Sequence, residues 1–485
     1  MAPQPIVARR RLNAPRTARI SCLVAKDFGM QRYPAVDFFR LPDKRDISHA
    51  ARLCEQFSQQ NLPALDQMHC KLFSQFDGNQ IFLTLQAGSM VGAVPLKSPT
   101  QAAFDYGLVV QPRFAWSGIG PMLSEMGWNV VPRPLKMPIM KTSERRVPPW
   151  VLSSMILQRL KGLLDSLNRR FEMTTELRTA PKGQVEWASY VVTHVSHGQL
   201  LSIPCTFPDL REDRTLRSAI RFTLEQHLSA LGTQRSQGKF VHDLLDLCLG
   251  LLNRVRDVPP SIPTALTMQA WSRASLLSES VINGLQAIEW TIEERGLAGL
   301  SELNGLPWIM PMEEFYESWV ETVLRIVARQ TGCILKTGRR KETTRPIAWE
   351  PAYLGSQKSL VPDLWMERPD LTLIVDAKYK RHWEELRTHS WHDFEEEMRE
   401  HHRNDLMQAL AYANLSTTTR TVTCLAYPCS RDSWEDMKAR KRIVHKAAIS
   451  SGDRSLELWL IAVPMAVPAT EVAAVLCDAV RTVSQ

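Results

Sequence analysis

The sequence lacks several features that would place it in a common functional class. It contains no G-x-x-x-x-G-K-[ST] phosphate-binding loop, so the chain is not expected to hydrolyse nucleotides by itself. Its nine cysteines include no C-x-x-C pair, which favours reduced thiols over a disulfide framework or a zinc ribbon. The sequence also shows no internal repeat.

Long apolar runs are missing as well. The most apolar C-terminal stretch, Leu458 to Thr470, contains Pro464 and Pro468 and is too short to span a bilayer as a helix. Residues 1–19 hold five arginines and no acidic residue, with no apolar signal core beside them. This pattern favours a basic N-terminal arm over a transit-like leader, and a cytoplasmic protein without a membrane segment is expected.

Composition predicts a folded chain of several domains. At 485 residues, with 44% hydrophobic and 23% charged residues, the chain is long enough for about three domains with their own cores. Short apolar runs alternate with Gly and Pro in residues 20–130, and prolines cluster in residues 131–150. From Val151 onward, apolar residues recur at helical spacing. We therefore predict a multidomain α+β fold: a β-rich domain over 20–130, a Pro-rich linker over 131–150, a helical middle domain over 151–305, and an α/β domain with a mixed central sheet over 306–485.

The formal net charge of +8 is distributed unevenly along the chain. Residues 301–485 contain 24 Lys and Arg against 26 Asp and Glu, so the first 300 residues carry the whole excess. The basic residues concentrate between positions 111 and 170, and composition leaves open whether that segment binds DNA, binds an acidic partner or is simply solvated. The candidate contact residues are Arg133, Lys136, Lys141, Arg145 and Arg146.

The most informative segment is a predicted hairpin that ends in an acidic and basic motif. Leu371 to Val375 is apolar and β-branched, which predicts a buried strand entering Asp376-Ala377-Lys378, with Val361 to Met366 as its partner strand. An even number of loop residues would place Asp363 nearly opposite Ile374, on the face that carries Asp376 and Lys378. The two carboxylates would then be diagonal neighbours about 7 Å apart at the backbone, whereas an odd loop would put Asp363 on the wrong face.

These residue types favour metal-assisted phosphodiester chemistry. Asp363 and Asp376 supply the oxygen ligands that Mg²⁺ prefers, with Mn²⁺ as an alternative ion, and Lys378 is placed to orient a water or to neutralise charge on a phosphate. Gln408 and Tyr412 are spaced i, i+4 and share a helix face that can lean over the same site. The sequence therefore predicts a nuclease centre.

The constellation resembles the PD-(D/E)xK nuclease superfamily, and the Gln408-to-Tyr412 spacing resembles the QxxxY motif of its RecB-type branch. Phe315 to Val320 resembles the opening helix of McrC-type restriction subunits, and the helix from Asn404 to Ala413 resembles the one that follows their nuclease strands. With looser matches upstream, the resemblance covers about residues 150 to 430. It implies a restriction-endonuclease-like C-terminal domain, and Glu317 as a further metal ligand.

The same resemblance implies partners. McrC-type proteins act with a separate AAA+ GTPase hexamer that recognises modified cytosine and translocates DNA, while the McrC-like subunit stimulates the motor and cuts. Double-stranded DNA and an McrB-like AAA+ GTPase or ATPase are thus the expected partners, in a prokaryotic anti-phage restriction system, with residues 20–130 as the docking domain. Whether the motor uses GTP or ATP, and whether methylation is recognised, stays open.

Several residues also have simpler interpretations. Glu317 lies among other acidic residues and fits a solvated helix face, and Tyr412 fits core packing on an Ala-rich helix. A histidine-rich segment offers imidazoles to zinc, although its spacing matches no closed zinc site and glutamates are interleaved with it. Its histidines are His382, His389, His392, His401 and His402.

Three other functions use the same motifs. A stand-alone RecB-like repair nuclease would need no NTPase, and a non-catalytic adaptor would use the nuclease fold only to support a motor. RNA is a further substrate that these motifs accommodate. A second D-x-K sequence, Asp436-Met437-Lys438, lacks a preceding apolar strand and is expected to have no role in the site.

Overall fold

The computed structural model describes most of the chain and divides it into two compact units. One unit comprises the described parts of 1–147 and 304–485, and the other comprises those of 148–303. No helix in the part of the chain that the structure describes is long and apolar enough to cross a membrane. The described residues are 21–43, 46–78, 80–101, 103–114, 116–135, 149–167, 170–211, 213–273, 278–292, 307–351, 353, 355–380, 383, 396–418, 420–451 and 454–483.

The N-terminal part of the first unit combines two sheets with helices. Strands β1, β6 and β5 are neighbours in one sheet, with β1 and β6 parallel, and β2, β4 and β3 form a second, antiparallel sheet. Two short apolar runs of the sequence, Ile81 to Leu85 and Tyr106 to Val110, lie in β4 and β6. The elements are β1 Ser21–Lys26, β2 Met30–Pro34, α1 Ala35–Phe38, α2 Ile47–Gln60, α3 Leu62–Gln67, β3 Lys71–Asp77, β4 Gln80–Gln86, β5 Met90–Leu96, β6 Tyr106–Gln111, α4 Trp116–Glu125 and β7 Arg133–Pro134.

Helix α2 covers these sheets, although the sequence interpretation emphasised strands alone. Its buried residues Ala50, Leu53, Cys54 and Phe57 follow the i, i+3, i+4, i+7 spacing of an amphipathic helix. The Asp46 side chain caps the helix by accepting a hydrogen bond from the His49 backbone N–H at 2.9 Å. The buried stripe joins the strands in one apolar core, so helices as well as strands build this region.

The second unit contains the helices expected from the apolar periodicity and a sheet that the periodicity did not indicate. Strands β8, β10 and β9 form this antiparallel three-stranded sheet. The elements are α5 Pro149–Ser166, β8 Arg170–Arg178, β9 Gln184–Val185, α6 Trp187–Ser189, a π-helical turn Tyr190–His194, 3-10 turns Val195–His197 and Arg235–Gln237, β10 Ile203–Arg211, α7 Arg214–Gly232, α8 Lys239–Arg254, α9 Ala265–Ser272 and α10 Glu279–Ile292.

A buried histidine in the second unit predicts acid sensitivity. His227 is hydrogen-bonded to the hydroxyls of Ser153 and Thr291, and burial lowers its pKa from 6.5 to about 4. Because the unfolded chain then binds more protons below pH 6.5, the unfolding free energy should fall as pH drops from about 6.5 to 4, by on the order of 3 kcal/mol. Urea denaturation of wild type and His227→Gln between about pH 6.5 and 4 measures the contribution of His227 to the pH dependence of the unfolding free energy.

The pH dependence of the wild type should exceed that of His227→Gln by roughly this amount. His242, exposed on α8, provides the matched control, and His242→Gln should keep the wild-type dependence. Equal slopes for wild type and His227→Gln would show that the buried imidazole contributes no acid sensitivity.

The C-terminal part of the first unit is built around a six-stranded mixed sheet in the order β12-β15-β16-β17-β19-β18. Strand β16 is antiparallel to β15 and parallel to β17, which is parallel to β19. The elements are β11 Trp308–Pro311, α11 Met312–Thr331, β12 Ile334–Thr337, a 3-10 turn Gly338–Arg340, β13 Arg345–Pro346, β14 Ser359–Leu360, β15 Leu364–Arg368, β16 Leu371–Ala377, α12 Glu396–Ala413, β17 Arg420–Cys429, α13 Arg431–Ala439, β18 Val444–Ser451, β19 Arg454–Pro464 and α14 Ala469–Val483.

Burial explains why β16 and β17 lie at the centre of this sheet. Both strands are almost entirely buried, as expected for near-continuous apolar, β-branched runs in parallel pairing. Helix α11 packs against α14 and β16, and the Trp319 indole N–H donates to the Pro464 carbonyl at 3.0 Å. The helix ends at Gly332, which adopts the left-handed conformation typical of a helix C-terminus. Two further apolar runs of the sequence, Val422 to Tyr427 and Leu456 to Val463, lie within β17 and β19.

Strand β11 connects the two parts of the first unit. It pairs with β5 and with β7, and so extends the N-terminal sheet to the order β1-β6-β5-β11-β7 before the chain enters α11. Gly92 permits this pairing, because a Cβ there would lie 2.2 Å from the Trp308 carbonyl oxygen. The helix that carries Glu317 therefore begins directly from the N-terminal sheet.

Candidate active site

The hairpin of β15 and β16 has an even loop, as the predicted shared face requires, but a different register. Its turn has two residues, so Leu364 pairs with Val375, and continuing the ladder by one residue places Asp363 opposite Asp376 rather than opposite Ile374. Strand β15 continues to Arg368, which pairs with Leu371, so the turn is only Pro369-Asp370 and the partner of Asp363 lies two residues further along β16 than expected. The two carboxylates are thus direct neighbours, not diagonal ones.

The two carboxyl groups are close enough to share a proton. Asp363 accepts a hydrogen bond from the Ala377 backbone N–H at 2.8 Å, which fixes its side chain at the end of β16. Burial, and then the adjacent Asp376, raise the pKa of Asp363 to about 8. Two ionised carboxylates at this separation repel each other, so the pair favours either a proton or a cation.

Lys378 completes the cluster. Its ammonium nitrogen lies 2.7 Å from Asp376 Oδ2 and donates to Gln408 Oε1 at 2.9 Å, while its backbone N–H donates to the Ala426 carbonyl at 2.8 Å. Burial opposes the charge of Lys378, but the charges of Asp376, Asp405 and Asp363 outweigh it and raise its pKa. Asp376 is only 3% exposed, and its Oδ2 is close to Lys378 without the alignment of a good hydrogen bond.

Helix α12 supplies the opposite wall of the site. Gln408 Nε2 donates to the Tyr412 hydroxyl at 2.8 Å, and that hydroxyl is 3.5 Å from the Val361 carbonyl. The Tyr412 ring packs against Trp365 and Ile374 on the face of the hairpin that carries the two aspartates. Tyr412 therefore combines the two roles considered for it: its ring is core and its hydroxyl orients Gln408.

Glu317 lies half-buried on α11, within electrostatic reach of the pair. Burial raises its pKa; Arg339 opposes this effect, and Glu321, Glu314 and Asp376 add to it. Among the described residues, however, no three His, Cys, Asp or Glu side chains form a group that could hold a metal ion. The structure thus brings Asp363 and Asp376 together and leaves Glu317 outside a closed ligand set.

The donor chemistry of the aspartate pair nevertheless fits Mg²⁺. Magnesium sites on phosphate-processing proteins commonly use one or two carboxylates and complete their coordination with water and substrate phosphate. Asp376 Oδ2 is a buried oxygen without a well-aligned donor, and the mutual repulsion of the pair would be relieved by a divalent cation. The zinc alternative lacks such support in the described part of the chain: His402 is buried on α12, and His382, His389 and His392 lie outside the described residues.

The basic segment does not form one surface in the described residues. Arg113 is buried, Arg159 is half-buried and bound to Gln286, and Arg133 is exposed and paired with Glu314. Lys136, Lys141, Arg145 and Arg146 lie outside the described residues, as does the basic arm over 1–19. A role for Arg133 in contacting DNA or a partner stays a prediction.

The sequence analysis missed two residues that bind the backbone carbonyls of Pro362 and Asp363. The Gly338 backbone N–H donates to the Asp363 carbonyl at 2.7 Å, and the Thr343 hydroxyl donates to the Pro362 carbonyl at 2.6 Å. Both contacts come from the loop after β12, and no local pattern around either residue indicates them. Asp405, which binds Lys380, does belong to the D-x-x-Q-x-x-x-Y pattern of α12 and was detectable.

Replacing Gly338 by Ala should reduce activity by displacing Asp363. A Cβ at this position would lie 2.8 Å from the Pro362 carbonyl oxygen and 3.3 Å from that of Asp363, so the backbone beside the carboxylate must shift. On the nuclease interpretation of the sequence, a displacement of a few tenths of an ångström at Asp363 should lower the cleavage rate by up to roughly 10-fold. Single-turnover cleavage and urea denaturation of the variant measure the two effects separately.

Gly250 offers the matched control, because an added Cβ there has no heavy atom within 4 Å. Gly250→Ala should keep the wild-type cleavage rate and gain slightly in stability, since it lies inside helix α8. Wild-type cleavage by Gly338→Ala would show that the loop after β12 does not determine the position of Asp363.

Comparison with known proteins agrees with this geometry at the level of the family. A family model described as McrBC 5-methylcytosine restriction system component matches residues 85–428. No curated protein matches the chain.

Two solved structures are similar to the chain at low identity. One is a refined half-complex from the tetradecameric assembly of Thermococcus gammatolerans McrB AAA+ hexamers with bound McrC, with 12% identity, a TM-score of 0.41, and coverage of 95% of this chain and 100% of that one. The other is the cryo-EM structure of the Thermococcus gammatolerans McrBC complex, with 12% identity, a TM-score of 0.26, and coverage of 63% and 87% respectively.

The family match spans both the upstream region and the hairpin with its aspartate pair, so it includes Asp363, Asp376, Lys378, Gln408 and Tyr412. It covers well over half of the sequence and confirms the family indicated by the resemblance of α11 and α12. The chain belongs to the McrBC family of 5-methylcytosine restriction system components.

Proposed function

We propose that the chain is the Mg²⁺-dependent DNA endonuclease subunit of a prokaryotic restriction system, activated by a separate AAA+ NTPase. One observation carries this proposal. Asp363 and Asp376 face each other across the β15–β16 hairpin, and Lys378 extends from the same strand end to within 2.7 Å of Asp376. Two carboxylates and one ammonium group on one face are the donor set that metal-assisted phosphodiester hydrolysis needs.

Asp363 and Asp376 are the residues that would hold Mg²⁺ or Mn²⁺. When bound, the ion supplies Lewis-acid activation of the phosphodiester and of a water molecule. Near neutral pH the pair retains a proton, because the pKa of Asp363 is about 8, and it would release that proton to a divalent cation. Glu317, close by on α11, is the third carboxylate that a small shift of the helix would bring into reach.

The cationic and amide side chains have separate roles. Lys378 places one positive charge beside the aspartate pair, where it would neutralise charge that develops on the phosphate. Gln408 accepts from Lys378 and donates to Tyr412, so the orientation of the ammonium group is fixed from helix α12. Ring packing of Tyr412 against Trp365 and Ile374 anchors this arrangement and limits water on that side.

The sheet topology supports assignment to the PD-(D/E)xK superfamily. In the six-stranded sheet the antiparallel β15–β16 pair is followed by a parallel crossover through α12 to β17. The carboxylates lie where β16 ends, beside the helix that the crossover supplies. The order Glu317, Asp363, Asp376, Lys378 and Gln408 along the chain is the order expected from the resemblance.

An AAA+ partner is the most economical source of substrate delivery. The chain itself has no phosphate-binding loop, and its last 185 residues carry slightly more acid than base. A catalytic domain of this charge gains little from nonspecific attraction to DNA. We therefore place substrate engagement with the motor and with the more basic upstream region, with GTP and ATP as the two nucleotides to compare.

The test is a cleavage assay on the purified full-length chain with linear duplex DNA and Mg²⁺. The chain is assayed alone and with an McrB-like P-loop AAA+ protein, with no nucleotide, GTP or ATP. Cleavage that needs Mg²⁺, the partner and a nucleotide is the expected result. Methylated and unmethylated duplexes in parallel show whether modification is recognised.

Other outcomes identify the alternatives. Equal cleavage by the chain alone would make it a stand-alone repair nuclease of the RecB type. Failure to cleave under every condition, together with stimulation of the partner's NTPase, would make it a non-catalytic adaptor. Preferential cleavage of RNA would reassign the substrate.

A further inference from the structure

The chain that follows Lys378 is held by the N-terminal sheet. The Lys378 backbone N–H donates to the Ala426 carbonyl, and the strand pairing ends there. The Lys380 backbone N–H then donates to the Lys378 carbonyl at 2.9 Å. Tyr379 points the other way, toward the ends of the parallel strands β1 and β6. Its side chain is 3% exposed, although it directly follows a catalytic candidate.

A buried polar cluster joins Tyr379 to that sheet edge. The Tyr379 hydroxyl donates to Asp27 Oδ2 at 2.7 Å, and the Arg113 backbone N–H donates to Asp27 Oδ1 at 2.5 Å. Asp27 is 2% exposed and follows β1, while Arg113 follows β6. Arg113 Nη2 in turn donates to the Lys380 carbonyl at 3.0 Å, so both residues after Lys378 are bound.

Aromatic packing encloses the same cluster. The Arg113 guanidinium lies 4.9 Å from the Tyr379 ring centroid, 4.7 Å from that of Phe114 and 5.3 Å from that of Phe28. The Tyr316 ring, on α11 beside Glu317, is 5.8 Å from Tyr379. The Arg113 guanidinium lies 3.7 Å from Asp27 Oδ2, and the Arg113 backbone N–H is hydrogen-bonded to the same carboxylate. A buried charge pair surrounded by rings admits few alternative arrangements, so it restricts the backbone position of residues 379 and 380.

The other side of this segment is bound to α12. Lys380 Nζ donates to both carboxylate oxygens of Asp405 at 2.7 Å, and the Tyr427 hydroxyl donates to Asp405 at 3.0 Å. Asp405 lies three residues before Gln408, whose side-chain oxygen accepts a hydrogen bond from the Lys378 ammonium group. Lys378 and Lys380 thus contact one helix, and Tyr379 between them contacts the N-terminal sheet.

We infer that Asp27, Arg113 and Tyr379 are positioning residues, which hold the Lys378 ammonium group beside the aspartate pair and connect the N-terminal sheet to the site. This inference rests on the proposed nuclease function. The path is direct: Asp27 fixes Tyr379, Arg113 fixes the Lys380 carbonyl, and the Lys378 backbone lies immediately before both.

Tyr379→Phe is the variant that tests the inference, because it keeps the ring packing and removes only the hydroxyl bound to Asp27. Single-turnover cleavage is measured with Mg²⁺, duplex DNA and the AAA+ partner at saturation, together with the KM for DNA. We expect the rate to fall roughly 10-fold with KM unchanged, because a small displacement of a catalytic group lowers the chemical step.

A second background separates positioning from a general structural role. In Lys378→Ala the residue through which Tyr379 acts is absent, so adding Tyr379→Phe should change the remaining rate by less than about 2-fold. Tyr33→Phe is the matched control. Its hydroxyl also binds a β1 backbone group, the Val24 carbonyl at 2.7 Å, so it should lower the melting temperature without selectively lowering the cleavage rate.

The results distinguish the inference from the function beneath it. If the wild type cleaves DNA and Tyr379→Phe cleaves it equally fast, the positioning role is wrong while the nuclease function stands. The same conclusion follows if Tyr379→Phe slows cleavage by the same factor in the wild type and in Lys378→Ala. If the wild type shows no cleavage under any condition, the function fails and the positioning role falls with it.

Discussion

Asp376→Asn is expected to lower the cleavage rate by at least about 1,000-fold while the protein stays folded. The change removes one of the two carboxylates that would hold the metal, and loss of about 4 kcal/mol of transition-state stabilisation corresponds to this factor. Stability should change little, because Asn is nearly isosteric and removal of the Asp376 charge relieves repulsion with Asp363. Cleavage with the AAA+ partner and urea denaturation, measured on the same preparation, separate the two effects.

The second D-x-K sequence provides the matched control for this prediction. Asp436 and Lys438 lie on helix α13, where Asp436 pairs with Arg440 and Lys438 with Glu471. Asp436→Asn makes the same chemical change in the same three-residue motif, away from the β16 strand end. It should cleave at the wild-type rate, and a loss comparable to that of Asp376→Asn would remove the argument that strand position defines the site.

Lys378→Ala is expected to lower the cleavage rate by about 100- to 1,000-fold, with metal binding retained. A preorganised donor at a developing negative charge contributes about 2.7 to 4 kcal/mol in enzymes of known mechanism, and Lys378 is the cation closest to Asp376 in the site described above. Because both carboxylates remain, the Mn²⁺ affinity should fall much less than in Asp376→Asn. Cleavage rates and Mn²⁺ titration by calorimetry give the two quantities.

Lys336→Ala is the control for the lost positive charge. Lys336 lies on β12 of the same sheet and pairs with Glu367 at 2.6 Å on a partly exposed surface, where an ion pair contributes little to stability. Lys336→Ala should leave both the cleavage rate and the Mn²⁺ affinity near the wild-type values. Unchanged cleavage by Lys378→Ala would exclude the ammonium group from the chemistry, even if the aspartates are required.

The local pattern around the candidate site was sufficient to predict the buried strand before Asp376 and the face that its side chains share with Asp363. The apolar run before Asp376 could only be a buried strand, and an even turn was enough to put Asp363 on its face. The i, i+4 spacing of Gln408 and Tyr412 likewise predicted one shared helix face, as the hydrogen bond between them confirms. These inferences depend on neighbours in sequence, for which strand and helix periodicity are reliable guides.

The register and the long-range contacts could not be predicted in the same way. The pairing of Asp363 with Asp376 depends on Glu367 and Arg368 joining β15, and the local apolar pattern does not indicate that the strand extends over these two charged residues. The binding of Tyr379 to Asp27 joins residues 352 positions apart, and neither residue has a distinctive local pattern. Burial of the Arg113 side chain could not be predicted either, because a basic segment is expected to be exposed unless its tertiary contacts are known.

The dependence of the cleavage rate on free Mg²⁺ in wild type and Asp363→Asn tests the central claim most directly. The claim is that Asp363 and Asp376 hold one functional cation between them. The wild type should reach a saturating rate as Mg²⁺ increases, and Asp363→Asn should need at least roughly 10-fold more Mg²⁺ or stay inactive throughout. Superimposable Mg²⁺ curves for the two proteins would contradict the assignment of the aspartate pair as the metal site.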